Sequence, residues 1–198
     1  MKQIITILLC SLAFVGCKSN KKTQEETAST TKQLVETTET EDMRAPVLEE
    51  PKEATAEDIK KYKPKTPEGT YFQIKKTPCF GECPVYTVTI NIDGFATMYG
   101  HKNFDYLGNY QTQFSEDQLM QIEALADKYN YWNLQHVYDA PVTDLPSTTT
   151  TLILDEKSQW VYNRMNSPDN LRMFEQEIET LIKDVQWYDF KPEHDTHD

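Results

Sequence analysis

Two cysteines, Cys79 and Cys83, stand four positions apart in a short segment that also holds two prolines and a glycine. Proline and glycine favour a turn, and the most regular alternation of apolar and polar residues in the chain follows directly, over residues 85–92. We therefore predict a disulfide-closed loop that leads into the central strand of a domain. By the loop-entropy estimate such a short ring adds only about 2 kcal/mol of stability, so its main effect is to fix the shape of the loop.

The amino terminus has the pattern of an export signal. Lys2 precedes a mostly apolar run over residues 4–15, which is too short to span a bilayer and fits the hydrophobic region of a signal peptide. The run ends in Gly16-Cys17, which resembles the lipobox of bacterial lipoproteins. That resemblance implies that residues 1–16 are removed, that Cys17 is acylated, and that its acyl chains hold the protein on a membrane.

Export also bears on the cysteine loop and on the location of the protein. Close cysteines in exported proteins usually pair, which favours a Cys79–Cys83 disulfide. Lys18 after the lipidated cysteine resembles the pattern that releases lipoproteins to the outer membrane. Lys21 and Lys22 differ from the acidic run that resembles surface-export signals. We expect a lipid-anchored protein of the cell envelope, on the outer membrane and facing the periplasm.

Residues 17–69 are predicted to be a disordered tether. They are rich in Thr, Glu and Lys and contain one aromatic residue, Tyr62, so they cannot bury enough apolar surface to offset chain entropy. At most, residues 55–62 form a transient helical turn. Residues 70–190 suffice for one domain, and residues 191–198 form a polar tail.

The domain is predicted to be α+β, with a mainly antiparallel sheet of about six strands and two helices packed on one face. Runs of strands interrupted by single helices, in the order β-β-β-β-α-β-β-α, favour this class. The helices are expected after a capping box, Ser115 to Gln118, and after Ser167-Pro168, with Ser167 as the N-cap and Pro168 at the first helical position.

A hairpin is predicted at Asp93-Gly94. In residues 85–92 the side chains of Tyr86, Val88, Ile90 and Ile92 share one face, as in a half-buried strand. A two-residue turn at Asp93-Gly94 pairs Ile92 with Phe95, Ile90 with Thr97 and Val88 with Tyr99.

Several segments together resemble one known family. They are residues 76–86, which include Thr-Pro-Cys and Cys-Pro-Val-Tyr, together with Asp93-Gly94 and residues 143–146. They resemble a Bacteroidota-type lipoprotein domain of unknown function, family 6438, over roughly residues 70–185. The resemblance implies an envelope location and assigns no activity.

The preferred functional hypothesis is a non-catalytic binding module for an envelope protein or ligand, with no cofactor and no metal site. Function concentrates on loops that a rigid scaffold holds, so two loops are the candidate binding surface. The candidate residues are Thr77, Pro78, Phe80, Gly81, Glu82, Asp139, Thr143, Asp144 and Pro146. Residues 70–198 carry nine Lys or Arg and twenty Asp or Glu, which disfavours nucleic acid as a partner.

Two alternatives stay open. Cys79 and Cys83 could form a thiol redox pair or a copper site, since copper-delivery proteins with a thioredoxin-like fold carry Cys-x-x-x-Cys before proline. Those proteins place the loop between a strand and a helix, however, whereas here a strand is predicted to follow. Asp139 and Asp144 could instead serve an enzyme, with Asp144 as its functional residue. Turn formation is the simpler role for both aspartates, and the sequence lacks a phosphate-binding glycine loop, a Gly-x-Ser-x-Gly motif and a His-Glu-x-x-His motif.

Overall fold

An eight-stranded sheet is the frame of the fold in the computed structural model, which describes residues 53–142 and 144–191. The strands lie in the order β5-β7-β6-β1-β2-β3-β4-β8, and every neighbouring pair is antiparallel except β5 and β7. Their bounds are β1 Thr70–Lys76, β2 Val85–Asn91, β3 Phe95–Lys102, β4 Gly108–Gln113, β5 Val137–Tyr138, β6 Thr148–Leu154, β7 Lys157–Asn163 and β8 Tyr188–Asp189. The α+β class is confirmed, and so is the mainly antiparallel sheet.

Within the described residues, three helices accompany the sheet: α1 Ala56–Tyr62, α2 Glu116–Lys128 and α3 Asp169–Asp184. The predicted capping box of α2 is present, because Ser115 Oγ accepts from the Gln118 amide and the Gln118 side chain accepts from the Ser115 amide. A single 3-10 turn, Tyr131–Asn133, follows α2. No helix within residues 53–142 or 144–191 has the length and apolar character that crossing a membrane requires.

The main core lies between one face of the sheet and the helices α2 and α3. Ile74 of β1 pairs with Val88 of β2 and with Thr150 of β6, which places these three side chains on the same face. A bulge between Thr70 and Phe72 lets two consecutive aromatic residues contact the helices. The Tyr71 hydroxyl donates to the Leu119 carbonyl of α2, and the Phe72 ring meets the Phe174 ring of α3 edge to face.

The predicted hairpin register is wrong by one residue. The structure pairs Ile90 with Ala96 and Val88 with Met98, so the loop has three residues rather than two. Gly94, with φ of 81°, donates its amide to the Asn91 carbonyl and closes this longer loop. Because a shift of one residue turns a strand over, Ala96 and Met98 are buried. Ile92 lies in the turn with 62% of its surface exposed, and not in the core.

The counts of strands and helices also differ from the prediction of about six and two. The additional strands, β5 and β8, have two residues each, too few to show an alternating pattern. The additional helix, α1, lies in the stretch that the composition assigns to the tether. Its Tyr62 ring stacks on Tyr162 of β7 at 4.1 Å between ring centroids, so tertiary packing supports a helix that is too short to be stable alone.

The start of α3 is a further correction. The residue that caps α3 is Pro168, with extended backbone and no side-chain cap, and Asp169 is the first helical residue. Ser167 is therefore not the N-cap: it is buried one position earlier, and the Arg172 side chain donates to its carbonyl oxygen.

Candidate functional site

Two loops meet at the end of the sheet where strands β1 and β7 end and strands β2 and β6 begin. We call residues 77–84 the disulfide loop and residues 139–147 the aspartate loop. Both contain the candidate residues named from the sequence, except that Thr143 lies outside the described residues. The two loops lie side by side, because they extend the neighbouring strands β1 and β6.

The disulfide loop is closed by a bond between Cys79 and Cys83, whose Cα atoms are 5.7 Å apart. This confirms the predicted pairing. The Gly81 amide donates to Cys79 Sγ at 3.2 Å within the ring, and the Asn103 side chain donates to the Cys83 carbonyl from outside it. No helix follows the loop: β2 begins at Val85, as the alternating pattern predicts.

Phe80 is the most prominent side chain of the disulfide loop, with 92% of its surface exposed. Its backbone amide donates to the Asp144 carbonyl at 3.4 Å, which joins the tips of the two loops. Leu145 of the aspartate loop is also exposed, to 41%. Two large apolar side chains, Phe80 and Leu145, are therefore exposed to solvent on loops that are hydrogen-bonded to each other.

Asp139 is engaged in a network that holds α1 against the sheet. Its carboxylate accepts two hydrogen bonds from Arg164, at 2.6 and 2.9 Å, and one from the Tyr62 hydroxyl at 2.7 Å. Partial burial opposes ionisation, but the hydrogen bonds from Arg164 and Tyr62 hold the pKa of Asp139 below its ordinary value. Asp139 is thus an ionised structural anchor, a role that fits turn chemistry better than proton transfer.

Asp144 has a different position. Its backbone adopts the left-handed conformation, with φ of 67°, which aspartate tolerates better than most residues. Its side chain is exposed, and its carbonyl receives the Phe80 amide. Asp144 therefore shapes the contact between the two loops.

A buried acid lies beneath the same end, on the helix side of the sheet, and the sequence patterns do not reveal it. Glu175 of α3 is 8% exposed and accepts two hydrogen bonds from the Asn163 side chain, at 3.0 and 2.9 Å. Burial raises the pKa of Glu175 to about 8, although the Asn163 hydrogen bonds and the charge of Lys76 oppose this. The group is therefore largely protonated at neutral pH.

Three further residues lie around Glu175: Lys76, Glu179 and Tyr86. Lys76 forms a salt bridge with Glu179 at 2.5 Å. Burial, followed by the charges of Glu179 and Glu175, raises the pKa of Tyr86. The signal in the sequence that could have found Glu175 is its position in the apolar stripe of α3, one residue after Phe174 and three before Ile178.

In the part of the chain that the structure describes, no group of three or more His, Cys, Asp or Glu residues could hold a metal ion. The carboxyl-terminal residues His194 and His197 lie outside that part.

Comparison with known proteins gives one family. A family model described as a domain of unknown function, DUF6438, matches residues 70–182. No curated protein matches the chain. The match confirms the resemblance seen in the sequence to family 6438, and it spans the sheet from β1 to β7 together with most of α3.

Proposed function

The chain belongs to the DUF6438 family, and from that premise we propose that it is a lipid-anchored, non-catalytic binding module of the bacterial cell envelope. The proposed binding surface is formed by the disulfide loop and the aspartate loop. Its partner is another envelope protein or an envelope ligand. The proposed anchor is Cys17, on the outer membrane and facing the periplasm.

The observation that carries this proposal is the exposure of Phe80. Leaving a phenylalanine side chain in water forgoes about 2 kcal/mol of burial free energy. Functional residues concentrate on loops that a rigid scaffold holds, and Phe80 is an exposed apolar side chain on such a loop. Leu145 on the adjacent loop is a second exposed apolar side chain.

The construction of the two loops supports the same conclusion. The Cys79–Cys83 bond and the Phe80–Asp144 hydrogen bond restrict the loops before any partner arrives. A restricted surface loses less conformational entropy on binding. The disulfide therefore serves binding more than global stability.

Site-specific photo-cross-linking in cells that make the full-length chain tests the proposed surface. A photoreactive phenylalanine analogue replaces Phe80 in one strain and Leu107 in another. Leu107 is a matched control, because it is also exposed, to 59%, but lies between β3 and β4. We expect a discrete adduct from position 80 and not from position 107. Equal adduct patterns at both positions, or none at position 80, would refute the proposed surface.

The anchor is tested separately. Mass spectrometry of the mature protein should find acyl chains on an amino-terminal Cys17. The Cys17→Ser variant should lose this modification, and less of it should fractionate with the outer membrane. An unmodified Cys17 in the wild-type protein would refute the anchor and leave the proposed binding surface standing.

A redox or copper-handling role for the same cysteines is the second candidate. The observation that favours it is that Cys79 and Cys83 are only partly buried, so reductants can reach the disulfide. Thiol labelling across a series of glutathione redox buffers tests this role. A pair that stays oxidised at the most reducing potentials, and that takes up no copper when reduced chemically, excludes it.

A further inference from the structure

A lysine-lined cleft opens on the face of the sheet opposite α2 and α3. It has a volume of about 380 Å³ and lies between α1, the segment that follows α1, and strands β1, β6 and β7. Lys61, Lys63, Lys65 and Lys75 line it, together with the hydroxyl-bearing residues Thr77 and Thr149. We call it the lysine cleft.

The described residues that line the lysine cleft include four lysines. Among the described residues that line it, none is Asp or Glu. The salt bridges in the described part of the chain engage Lys76, Lys128, Arg164 and Arg172, and none of the four cleft lysines. Lys61 lies 4.5 Å from the centroid of the Tyr62 ring, and the charge of Asp139 acts on it from outside the cleft, so Lys63, Lys65 and Lys75 carry most of the unbalanced charge.

This concentration of charge is unusual in a protein with a formal net charge of −12. Four like charges in one cleft repel one another, and the repulsion is relieved when an anion binds between them. Lysine ammonium groups bind phosphate as point charges, and neighbouring hydroxyls add hydrogen-bond donors. The lining of the lysine cleft supplies both kinds of group.

We propose that the lysine cleft binds a small ligand that carries a phosphoryl group. More than one negative charge is needed to engage several of the lysines together, so a phosphoryl or diphosphoryl group fits better than a single carboxylate. A long polyanion is disfavoured, because the net negative charge of the chain, −12, repels it. The cleft volume of about 380 Å³ fits a small-molecule site.

This proposal deepens the proposed binding function and rests on it. The lysine cleft adjoins the two loops, since Thr77 and Ser147 belong both to the cleft lining and to the loops. The phosphoryl group could belong to a soluble metabolite or to a lipid headgroup. Both sources share the same chemistry, and the experiment separates them.

The experiment is a calorimetric titration of the full-length chain, purified in detergent, with pyrophosphate, glycerol phosphate and acetate. The cleft variant is Lys63→Gln/Lys65→Gln. The control variant is Lys102→Gln/Lys191→Gln, which removes the same charge at exposed positions outside the cleft. All four lysines are exposed, so neither variant should unfold, and circular dichroism checks this.

We expect pyrophosphate to bind the wild-type chain, glycerol phosphate to bind more weakly, and acetate not to bind measurably. The cleft variant should lose affinity for pyrophosphate by about tenfold, and the control by less than about threefold. Equal losses in the two variants, or no binding of pyrophosphate to the wild-type chain, would overturn the proposal. Neither result would affect the Phe80 cross-link, so failure of this site and failure of the proposed function are distinguishable.

A second arm identifies the source of the phosphoryl group. The chain is reconstituted in nanodiscs of phosphatidylcholine with or without phosphatidylglycerol, and pyrophosphate is titrated into each. If a lipid headgroup enters the lysine cleft, phosphatidylglycerol weakens pyrophosphate binding to the wild-type chain but not to the cleft variant. If the ligand is soluble, pyrophosphate binds equally in both kinds of nanodisc. Either result supports a phosphoryl site and names its source.

Discussion

Thr77 and Ser147 are bonded to each other through both backbone and side chain where the disulfide loop meets the aspartate loop. The Thr77 amide donates to the Ser147 carbonyl at 3.0 Å, and the Ser147 amide donates to Thr77 Oγ1 at 2.8 Å. The two hydroxyl oxygens are 2.9 Å apart. This pair continues the ladder between β1 and β6 beyond the last residues of the strands, and so sets the spacing of the two loops.

Replacing Thr77 should therefore destabilise the end of the sheet where the two loops meet. In Thr77→Val the buried Ser147 amide loses its acceptor, which costs roughly 1–3 kcal/mol. Urea denaturation measures the change in the free energy of unfolding. Thr97→Val is the matched control, because Thr97 is partly buried like Thr77 and its hydroxyl has no bond to another described residue. The control should change stability by less than about 0.5 kcal/mol, and equal losses would contradict the role given to the Thr77–Ser147 pair.

A second prediction concerns the hairpin between β2 and β3. A Cβ atom at Gly94 would stand 2.4 Å from the Phe114 carbonyl oxygen, whereas a Cβ atom at Gly69 would have no neighbour within 4 Å. Both glycines have positive φ, 81° and 78°, so alanine at either position costs about 1–2 kcal/mol of backbone strain. Gly94→Ala should lose clearly more stability than Gly69→Ala in thermal unfolding. Similar losses would show that the backbone near Phe114 shifts at little cost to accommodate a methyl group at position 94.

Glu175 makes the stability of the fold depend on pH. Its pKa is about 8 in the folded protein and near 4.5 in the unfolded chain, so between these values the folded state holds a proton that the unfolded state has released. The stability that this proton contributes is fully present below pH 4.5 and is lost as the pH rises through about 8. The greatest slope is about 1.4 kcal/mol per pH unit.

The variant Glu175→Gln keeps the shape of the side chain and removes this titration. Its free energy of unfolding should vary less with pH between about 5 and 8 than that of the wild-type protein. Glu156→Gln, at an exposed position between β6 and β7, is the control and should keep the wild-type slope. Parallel pH profiles for Glu175→Gln and the wild-type protein would show that Glu175 is already ionised in the fold.

The Cys79–Cys83 disulfide should affect the order of its loop more than the stability of the whole fold. The double variant Cys79→Ser/Cys83→Ser should lose only about 2 kcal/mol of stability, because the ring is short, and should keep its fold by circular dichroism. The cross-link from position 80 should nevertheless weaken severalfold, because the freed loop must be ordered on binding. An undiminished cross-link would show that the disulfide does not organise the binding surface.

The hairpin shows how far local patterns reach. Alternation in residues 85–92 correctly identifies β2 and its buried face from Tyr86 to Ile90. The register is wrong because Asp-Gly is compatible with both two-residue and three-residue loops. The choice depends on packing: β3 must bring the small Ala96 and the flexible Met98 into the core beneath the helices.

The positions of the disulfide loop and the aspartate loop were predictable in part. Turn residues and paired cysteines marked the two loops, and the strand order then placed them side by side. By contrast, α1, Arg164 and Glu175 acquire their roles through contacts that are distant in sequence, such as the Tyr62–Asp139 bond across 77 positions. The lysine cleft was not predicted either, because three of its lysines lie in a stretch whose composition suggests disorder.

The outermost strands of the sheet, β5 and β8, have only two residues each. Long, flat outer strands can form backbone hydrogen bonds with neighbouring chains through their free amides and carbonyls. Short outer strands offer few such groups. A neighbouring chain that approaches β5 or β8 should accordingly find few free amides and carbonyls with which to pair.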